Sequence, residues 1–281
     1  MLLRELYQNF YAESKEYLSE ISAKRPLILQ LTNEVTINDC ANITLNWGAL
    51  PVMSGGIEDA QEMLNSAEAL LINTGTLNDE KLKIMLKTAE RANKLKIPVV
   101  LDPVGAGATT YRLMGAKKLL EKVDFAIIKG NQSEIDVLAG VKSEMLGVES
   151  LSSGESCKKS ALKLAAEQNA IIVVTGAEDY ITDQKNNINS ARGDQMMSEV
   201  VGTGCMLGST LAVFSSLMDN DQTENFKKIV SSVLLYNLCA EKAAEASVPA
   251  YFKMRFMDCI YRLQKDKDIL NSFENSFEIN N

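Results

Sequence analysis

The chain has 281 residues, of which 46% are hydrophobic and 23% charged, so it is long enough for one large α/β domain or two smaller ones. Its formal net charge of −8 argues against a nucleic-acid-binding protein, because such proteins carry a basic face. The sequence contains no histidine, which excludes a Ser-His-Asp triad and a HExxH metal site. Its five cysteines are scattered and form no CxxC pair, which argues against a disulfide framework and a structural zinc site.

The first 25 residues predict an amphipathic helix. Charged residues interrupt this segment too often for a secretory signal, and its apolar residues recur at helical spacing. The apolar positions are Leu3, Leu6, Tyr7, Phe10, Tyr17, Leu18 and Ile21. No segment of the chain reaches the roughly 18 apolar residues that a membrane span needs, so we expect a soluble, cytoplasmic protein.

Short apolar runs alternate with helical stretches over the next part of the chain, a pattern typical of βαβ units. The runs are too continuous for strands with one wet face, which favours an α/β fold with a mostly parallel sheet and helices on both faces. The predicted strands are Leu27–Leu31, Ala69–Asn73, Val99–Leu101, Asp124–Ile128 and Ala170–Val174, and the predicted helices are Asn38–Trp47, Asp79–Lys96, Leu113–Lys122 and Ser133–Leu138. Asp179–Asp183 and Ile188–Arg192 predict an antiparallel hairpin near an edge of the sheet.

The last third of the chain has a helical pattern. The predicted helices run from about Thr203 to Met218, Glu224 to Ala246 and Phe252 to Lys267. The polar tail from Asn271 to Asn281 is expected to fray. The polar composition of Ser150–Ser156 predicts a loop that is too short to separate domains. We therefore expect residues 1–281 to form a single domain.

Two polar motifs follow predicted strands, which matters because ligands bind beyond the carboxyl ends of parallel strands. Asp102 follows Val99–Leu101 and precedes a glycine-containing loop, which suits either a magnesium ligand beside a phosphate or a helix cap before a turn. Glu134 lies three residues beyond Asn131, which suits either a capping box or a second magnesium carboxylate, with Lys129 as a phosphate contact.

A third motif, Gly202–Cys205, opens the first of the terminal helices. Free backbone N–H groups at a helix N-terminus form a site for a phosphoryl group. The alternative is close helix packing that requires glycine, with Cys205 as a small buried hydrophobic residue. The chain contains neither a GxxxxGK[ST] phosphate loop nor a GxGxxG dinucleotide fingerprint.

Taken together and in this order, the motifs resemble those of the hydroxyethylthiazole kinases of the ribokinase-like superfamily. The resemblance runs from about Pro26 to Ala246. The segments that carry it are Leu31–Val35, Asn38 with Ala41 and Asn42, Gly48–Met53, Asn73–Leu77, Asp102–Arg112, Lys129–Glu134, Val173–Gly176 and Gly202–Cys205. Cys205 stands where sugar and pyrimidine kinases of the superfamily usually carry an aspartate base, and cysteine there is distinctive of thiazole kinases.

The resemblance implies Mg²⁺- and ATP-dependent phosphorylation of 4-methyl-5-(2-hydroxyethyl)thiazole in thiamine salvage. The residue roles that it implies are catalysis by Cys205, Mg²⁺ binding by Asp102 and Glu134, ATP binding by Lys129 and Thr175, and thiazole binding by Met53 and Gly202. It also implies a homotrimer with substrate sites at subunit boundaries.

The chain departs from the family pattern at several positions. Lys129 stands where the family usually has arginine, and Leu29 and Val201 replace a histidine and a threonine; the late segment Val248–Phe252 also differs. Two alternatives therefore stay open. One is a kinase of the same fold acting on another small primary alcohol, such as hydroxymethylpyrimidine, against which Cys205 argues. The other is a non-catalytic ligand-binding relative.

Overall fold

In the computed structural model, which describes residues 2–141, 153–245 and 248–273, eight strands form one sheet. The strands are β1 (Leu27–Leu31), β2 (Leu50–Met53), β3 (Ala69–Asn73), β4 (Val99–Asp102), β5 (Ile127–Asn131), β6 (Ile171–Thr175), β7 (Asp179–Thr182) and β8 (Asn187–Ser190). Their order across the sheet is β2-β1-β3-β4-β5-β6-β7-β8. Strands β1 to β6 pair in parallel, whereas β7 and β8 pair antiparallel, so the predicted hairpin at the edge is confirmed.

Helices connect and cover the strands. They are α1 (Leu2–Lys24), α2 (Ile37–Asn46), α3 (Ile57–Met63), α4 (Asp79–Lys94), α5 (Thr110–Lys122), α6 (Gln132–Leu138), α7 (Ser153–Gln168), α8 (Thr203–Ser215), α9 (Gln222–Ala244), α10 (Pro249–Lys265) and α11 (Ile269–Phe273), with a 3₁₀ turn at Gln195–Glu199. Within the described ranges, no helix has the length and apolar character needed to cross a bilayer.

The sheet separates the buried apolar side chains into two clusters, because successive strand residues point to opposite faces. On β3, Leu71 belongs to the cluster formed with α1, α2, α8, α9 and α10. Its neighbours Leu70 and Ile72 belong to the cluster formed with α3 to α7. The prediction of a mostly parallel sheet with helices on both faces is therefore confirmed, and the N-terminal helix α1 forms part of the first layer.

Some predicted boundaries were wrong. The strand predicted at Asp124–Ile128 is β5, Ile127–Asn131, because its polar end pairs with β6. The predicted polar loop Ser150–Ser156 was also wrong where it can be checked, since Ser153 already begins α7; residues 150–152 lie outside the described ranges. In the tail, α11 extends to Phe273, and residues 274–281 lie outside the described ranges.

The chain reverses its direction across the sheet at β1. Strand β2 lies on one side of β1 and β3 on the other, so the carboxyl ends of β1 and β3 flank a topological switch point. Such a point opens a crevice in which open α/β sheets bind ligands. Helix α8 returns to the middle of the sheet, where a Cβ added to Gly208 would lie 3.1 Å from Oδ2 of Asp102, at the end of β4.

Candidate active site

A buried ion pair joins the carboxyl end of β4 to the middle of β5. Oδ1 of Asp102 is 3.3 Å from Nζ of Lys129, and both side chains are almost inaccessible. Burial raises the pKa of Asp102 to about 6, although the charge of Lys129 acts in the opposite direction. Burial alone would lower the pKa of Lys129, but the carboxylates of Asp102 and Glu134 outweigh it and raise that pKa. The lysine therefore remains a cation beside these carboxylates.

Glu134 forms a capping box at the start of α6. Its Oε2 accepts a hydrogen bond from the backbone N–H of Asn131 at 2.8 Å, and Oδ1 of Asn131 accepts one from the N–H of Glu134 at 2.9 Å. Its Oε1 accepts a further bond from the N–H of Gly105 at 2.7 Å, which ties the loop after β4 to α6. The capping interpretation of Glu134 is thus confirmed. Because a carboxylate offers about four acceptor positions, metal-bound water can still bind to it.

The acidic side chains fit a magnesium ion that is held largely by water and phosphate. In the part of the chain that the structure describes, no group of three or more His, Cys, Asp or Glu side chains is arranged to hold a metal. Magnesium commonly binds to proteins through one or two carboxylates together with substrate phosphates. Asp102 contacts Lys129, and Oε2 of Glu134 would lie 3.2 Å from a Cβ added to the next residue, Gly130, so the two carboxylates supply such a pair.

The first turn of α8 lies beside the Lys129 amine. Gly202 is the N-cap residue with φ of 101°, and it makes no side-chain cap, so the N–H groups of the first turn are not used by a capping side chain. A Cβ added to Gly204 would lie 3.2 Å from Nζ of Lys129. A lysine cation and a helix N-terminus both favour negative charge, so this place suits a bound anion.

Cys205 occupies the same turn and is half-buried. Its Sγ lies 3.4 Å from Nδ2 of Asn33, a buried residue in the loop between β1 and α2. Cys205 is therefore partly exposed, not buried as the packing alternative expects, and its thiol contacts a polar side chain.

A cavity of about 820 Å³ adjoins this turn. Its lining includes Thr175 at the end of β6, Gly204 of α8 and Tyr236 of α9. The Tyr236 hydroxyl donates a hydrogen bond to the carbonyl of Thr203 at 2.6 Å, which fixes α9 against the start of α8. Residues of β6 and of the first turn of α8 thus line the same cavity.

The remaining predicted site residues are Gly202, at the start of α8, and Met53, on the edge strand β2. Gly202 packs against α2, where an added Cβ would lie 3.0 Å from Cγ2 of Thr36. Met53 ends the edge strand β2 and pairs with Gln30 of β1. The structure thus brings Asp102, Glu134, Lys129 and Cys205 together, with Thr175 in the adjoining cavity and Met53 on the far side of β1.

Sequence reasoning gave no role to two buried asparagines, Asn33 and Asn73, that lie among these residues. Asn73 ends β3 and donates to Oδ2 of Asp102 at 3.0 Å. Asn33 donates to Oδ1 of Asn73 at 3.0 Å. The available signal was the position of each asparagine at or just after an apolar strand, which is the same signal that identified Asp102.

The sheet order and the placement of α8 define a ribokinase-like fold. A ribokinase-like superfamily protein from Enterococcus faecalis shares this fold at 14% sequence identity, with a TM-score of 0.59 over 84% of this chain and 86% of that one. The structure of a hydroxyethylthiazole kinase from Pyrococcus horikoshii is more similar, with 36% identity and a TM-score of 0.79 over 88% of this chain and 92% of that one.

Sequence comparison narrows the class. A hydroxyethylthiazole kinase from Thermoanaerobacter pseudethanolicus is 43% identical over 263 residues, covering 91% of this chain and 98% of its own. A protein of the same name from Methanocella arvoryzae is 41% identical over 251 residues, covering 89% of this chain and 93% of its own. The model of the hydroxyethylthiazole kinase family matches residues 18–266. The chain belongs to the hydroxyethylthiazole kinase family.

Proposed function

We propose that this protein transfers the γ-phosphoryl group of ATP to the hydroxyl of 4-methyl-5-(2-hydroxyethyl)thiazole, a salvage step of thiamine synthesis in the cytoplasm. The observation that carries this proposal is the position of the Lys129 amine between Asp102 and the first turn of α8, which also contains Cys205. Membership of the family supports the choice of substrate.

The nucleotide is proposed to occupy the cavity between β6 and α8. Thr175 lines this cavity, and its hydroxyl donates to the carbonyl of Gly130, which fixes the position of the side chain. A triphosphate that enters from this side meets the Lys129 amine and the N–H groups of α8 at its reactive end. These groups neutralise charge on the phosphoryl oxygens, which is the main requirement of phosphoryl transfer.

Asp102 and Glu134 are proposed to hold Mg²⁺, with Glu134 acting through water because both of its oxygens already accept backbone hydrogen bonds. When bound, the ion neutralises phosphate charge and orients the transferred group. Lys129 pairs with Asp102 and favours its ionised form, against the effect of burial. An ATP-bound metal would then share the Asp102 carboxylate with the lysine.

Cys205 is proposed to accept the proton of the substrate hydroxyl. The alcohol oxygen forms a bond to the γ-phosphorus, the bond to the ADP oxygen breaks, and the proton passes to the sulfur. Met53 and Gly202 are proposed to line the thiazole site. Because Met53 lies on an edge strand, the proposal includes a homotrimer in which this site forms at a subunit boundary.

The test is an ATP-consumption assay with a panel of acceptors, with and without Mg²⁺. We expect turnover with the thiazole alcohol that requires Mg²⁺ and much less turnover with hydroxymethylpyrimidine or sugars. Turnover with the pyrimidine and none with the thiazole would overturn the proposed identity of the substrate. Absence of turnover with every acceptor, together with measurable ATP binding, would favour a non-catalytic relative.

A further inference from the structure

A chain of side-chain hydrogen bonds joins Cys205 to Asp102 through two asparagines. Nδ2 of Asn33 lies 3.4 Å from Sγ of Cys205 and 3.0 Å from Oδ1 of Asn73. Nδ2 of Asn73 in turn donates to Oδ2 of Asp102 at 3.0 Å. Both asparagines are buried, with exposed fractions of 3% and 0%. The Asn33–Asn73 bond bridges the carboxyl ends of β1 and β3, which flank the switch point of the sheet.

Backbone amides fix the direction of every bond in this chain. Oδ1 of Asn33 accepts from the N–H groups of Val35 and Thr36 at 3.0 and 3.1 Å, so its NH₂ group must face the site. Oδ1 of Asn73 accepts from the N–H of Gly75 at 3.0 Å, so its NH₂ group must face the carboxylate. Turning either amide around would place donors against donors. Asn33 can therefore only donate toward the sulfur.

The NH₂ group of Asn33 has more acceptors than hydrogens. Its nitrogen lies 3.0 Å from Oγ1 of Thr36, 3.0 Å from Oδ1 of Asn73 and 3.4 Å from Sγ of Cys205, whereas it carries two hydrogens. The sulfur is the acceptor at the longest distance. Hydrogen bonds to a charged acceptor are shorter and stronger than those to a neutral one. The hydrogen bond from Asn33 to the sulfur is therefore stronger when the sulfur is a thiolate.

We propose that Asn33 is a positioning residue that holds the sulfur of Cys205 as a proton acceptor and stabilises its thiolate form. The bond from Asn33 occupies one side of the sulfur, so the proton that the sulfur takes up must bind on another side. Asn73 keeps Asn33 in this orientation and connects it to Asp102. This inference rests on the proposed role of Cys205 in phosphoryl transfer.

The substitution Asn33→Asp tests the inference. It retains the shape of the side chain and the acceptor for Val35 and Thr36, but it replaces the donor that faces the sulfur with a second carboxylate oxygen. The readout is the rate at which iodoacetamide alkylates Cys205 at pH 8 without substrates, followed by peptide mass spectrometry. We expect alkylation to be about tenfold slower, because only the thiolate reacts and a neighbouring carboxylate disfavours it. We also expect kcat to fall while KM for ATP stays nearly unchanged.

A matched control is Asn42→Asp, which adds the same charge on the exposed face of α2 and should leave the alkylation rate unchanged. If Asn33→Asp does not fold, Asn33→Ser serves instead, since its hydroxyl can still accept from the turn but is too short to donate to the sulfur. For this variant we expect slower alkylation as well.

An alkylation rate equal to that of the unaltered protein would overturn the inference. Faster alkylation with a lowered melting temperature would also overturn it, because Asn33 would then only close the turn. Full turnover of Cys205→Ala would remove the proposed role of Cys205 in proton transfer, but it would leave the measured effect of Asn33 on the thiol intact. The two failures are thus distinguishable.

Discussion

At the scale of single residues, Cys205 gives the most direct test of the chemistry. Cys205→Ala should lower kcat without abolishing turnover, because the N–H groups of α8 and Lys129 remain and general-base assistance is worth about 10²–10⁴-fold. Cys205→Asp should retain more activity than the alanine variant. A carboxylate can accept the proton, and both the N-terminus of α8 and the donor from Asn33 favour its charge.

The measurements for Cys205 are kcat and melting temperature. Cys157→Ala, which removes a buried thiol of α7, is the control for loss of a cysteine and should leave kcat unchanged. If the alanine variant proves more active than the aspartate variant, and the aspartate variant melts at a lower temperature, Cys205 acts only in packing.

Substitution of Glu134 is expected to affect both the stability of the protein and its turnover. Sequence alone predicts that Glu134→Gln reduces turnover with little loss of stability. The two hydrogen bonds of 2.7 and 2.8 Å to backbone N–H groups change this expectation, because glutamine turns one acceptor into a donor. We now expect a loss of about 1–3 kcal/mol in the free energy of unfolding, measured by urea denaturation.

Turnover as a function of Mg²⁺ concentration separates the two roles of Glu134. If the residue supports the metal, the Mg²⁺ concentration for half-maximal turnover should rise in Glu134→Gln. Asn78→Ala, which removes the N-cap of α4, is the control and should cost stability without changing the Mg²⁺ requirement. If the Mg²⁺ requirement is unchanged in Glu134→Gln, Glu134 caps α6 and does not support the metal.

At the scale of elements, the first turn of α8 depends on the backbone of Gly202. Its φ of 101° lies in a region that disfavours side chains, and an added Cβ would also lie 3.0 Å from Thr36. Gly202→Ala should lower the free energy of unfolding by about 1–2 kcal/mol. It should also lower kcat, since the turn that contains Cys205 must shift.

The control for Gly202→Ala is Gly55→Ala, whose added Cβ has no atom within 4 Å and whose backbone needs no left-handed conformation. Thermal melting of both variants checks the prediction. Equal melting temperatures for the two alanine variants would show that the turn adapts without strain.

Elements with a strong apolar pattern were predictable from the sequence. The predicted bounds of β1 and β3 match those in the structure. Their apolar runs indicate a strand without information from the neighbouring strands. Strand β2 was missed because it has four residues, one of them Pro51, which an edge strand tolerates. The polar end of β5 was missed because Lys129–Asn131 becomes strand only by pairing with β6. Tertiary pairing decided both cases.

The site was predictable to a similar extent. Asp102, Glu134 and Cys205 became candidates because each stands at or near the beginning or end of a predicted element, and the family resemblance supplied their proposed roles. The bond between Asn33 and Asn73 was not, because it requires β1 to lie beside β3, and periodicity along the chain does not encode the order of strands. The local sequence pattern was thus enough to find candidate residues. The hydrogen bonds between them could be found only once the order of the strands was known.

At the scale of the whole molecule, several exposed apolar side chains surround the proposed substrate end. Val35 and Val201 have exposed fractions of 67% and 72%, and Tyr251 and Met254 have 54% and 64%. Lys253 lies between the last two and bonds to Asp39 of α2, which places the start of α10 beside this region. Burial by other copies of the chain would remove this apolar surface from water, which supports the proposed trimer.

Light scattering should therefore give three times the 30.9 kDa of one chain. Met53→Glu places a charge on the edge strand at the proposed thiazole site, and Asp102→Asn removes a proposed metal carboxylate, so each variant alone should have little activity. If Met53 completes the site of a neighbouring subunit, co-expression of the two variants restores about a third of the sites in every mixed trimer, because one of its three sites combines an intact Asp102 with an intact Met53. The measurement is kcat of trimers purified through two different tags. Activity no higher than that of either variant alone would place Met53 in the site of its own chain, and a monomeric mass would remove the shared site altogether.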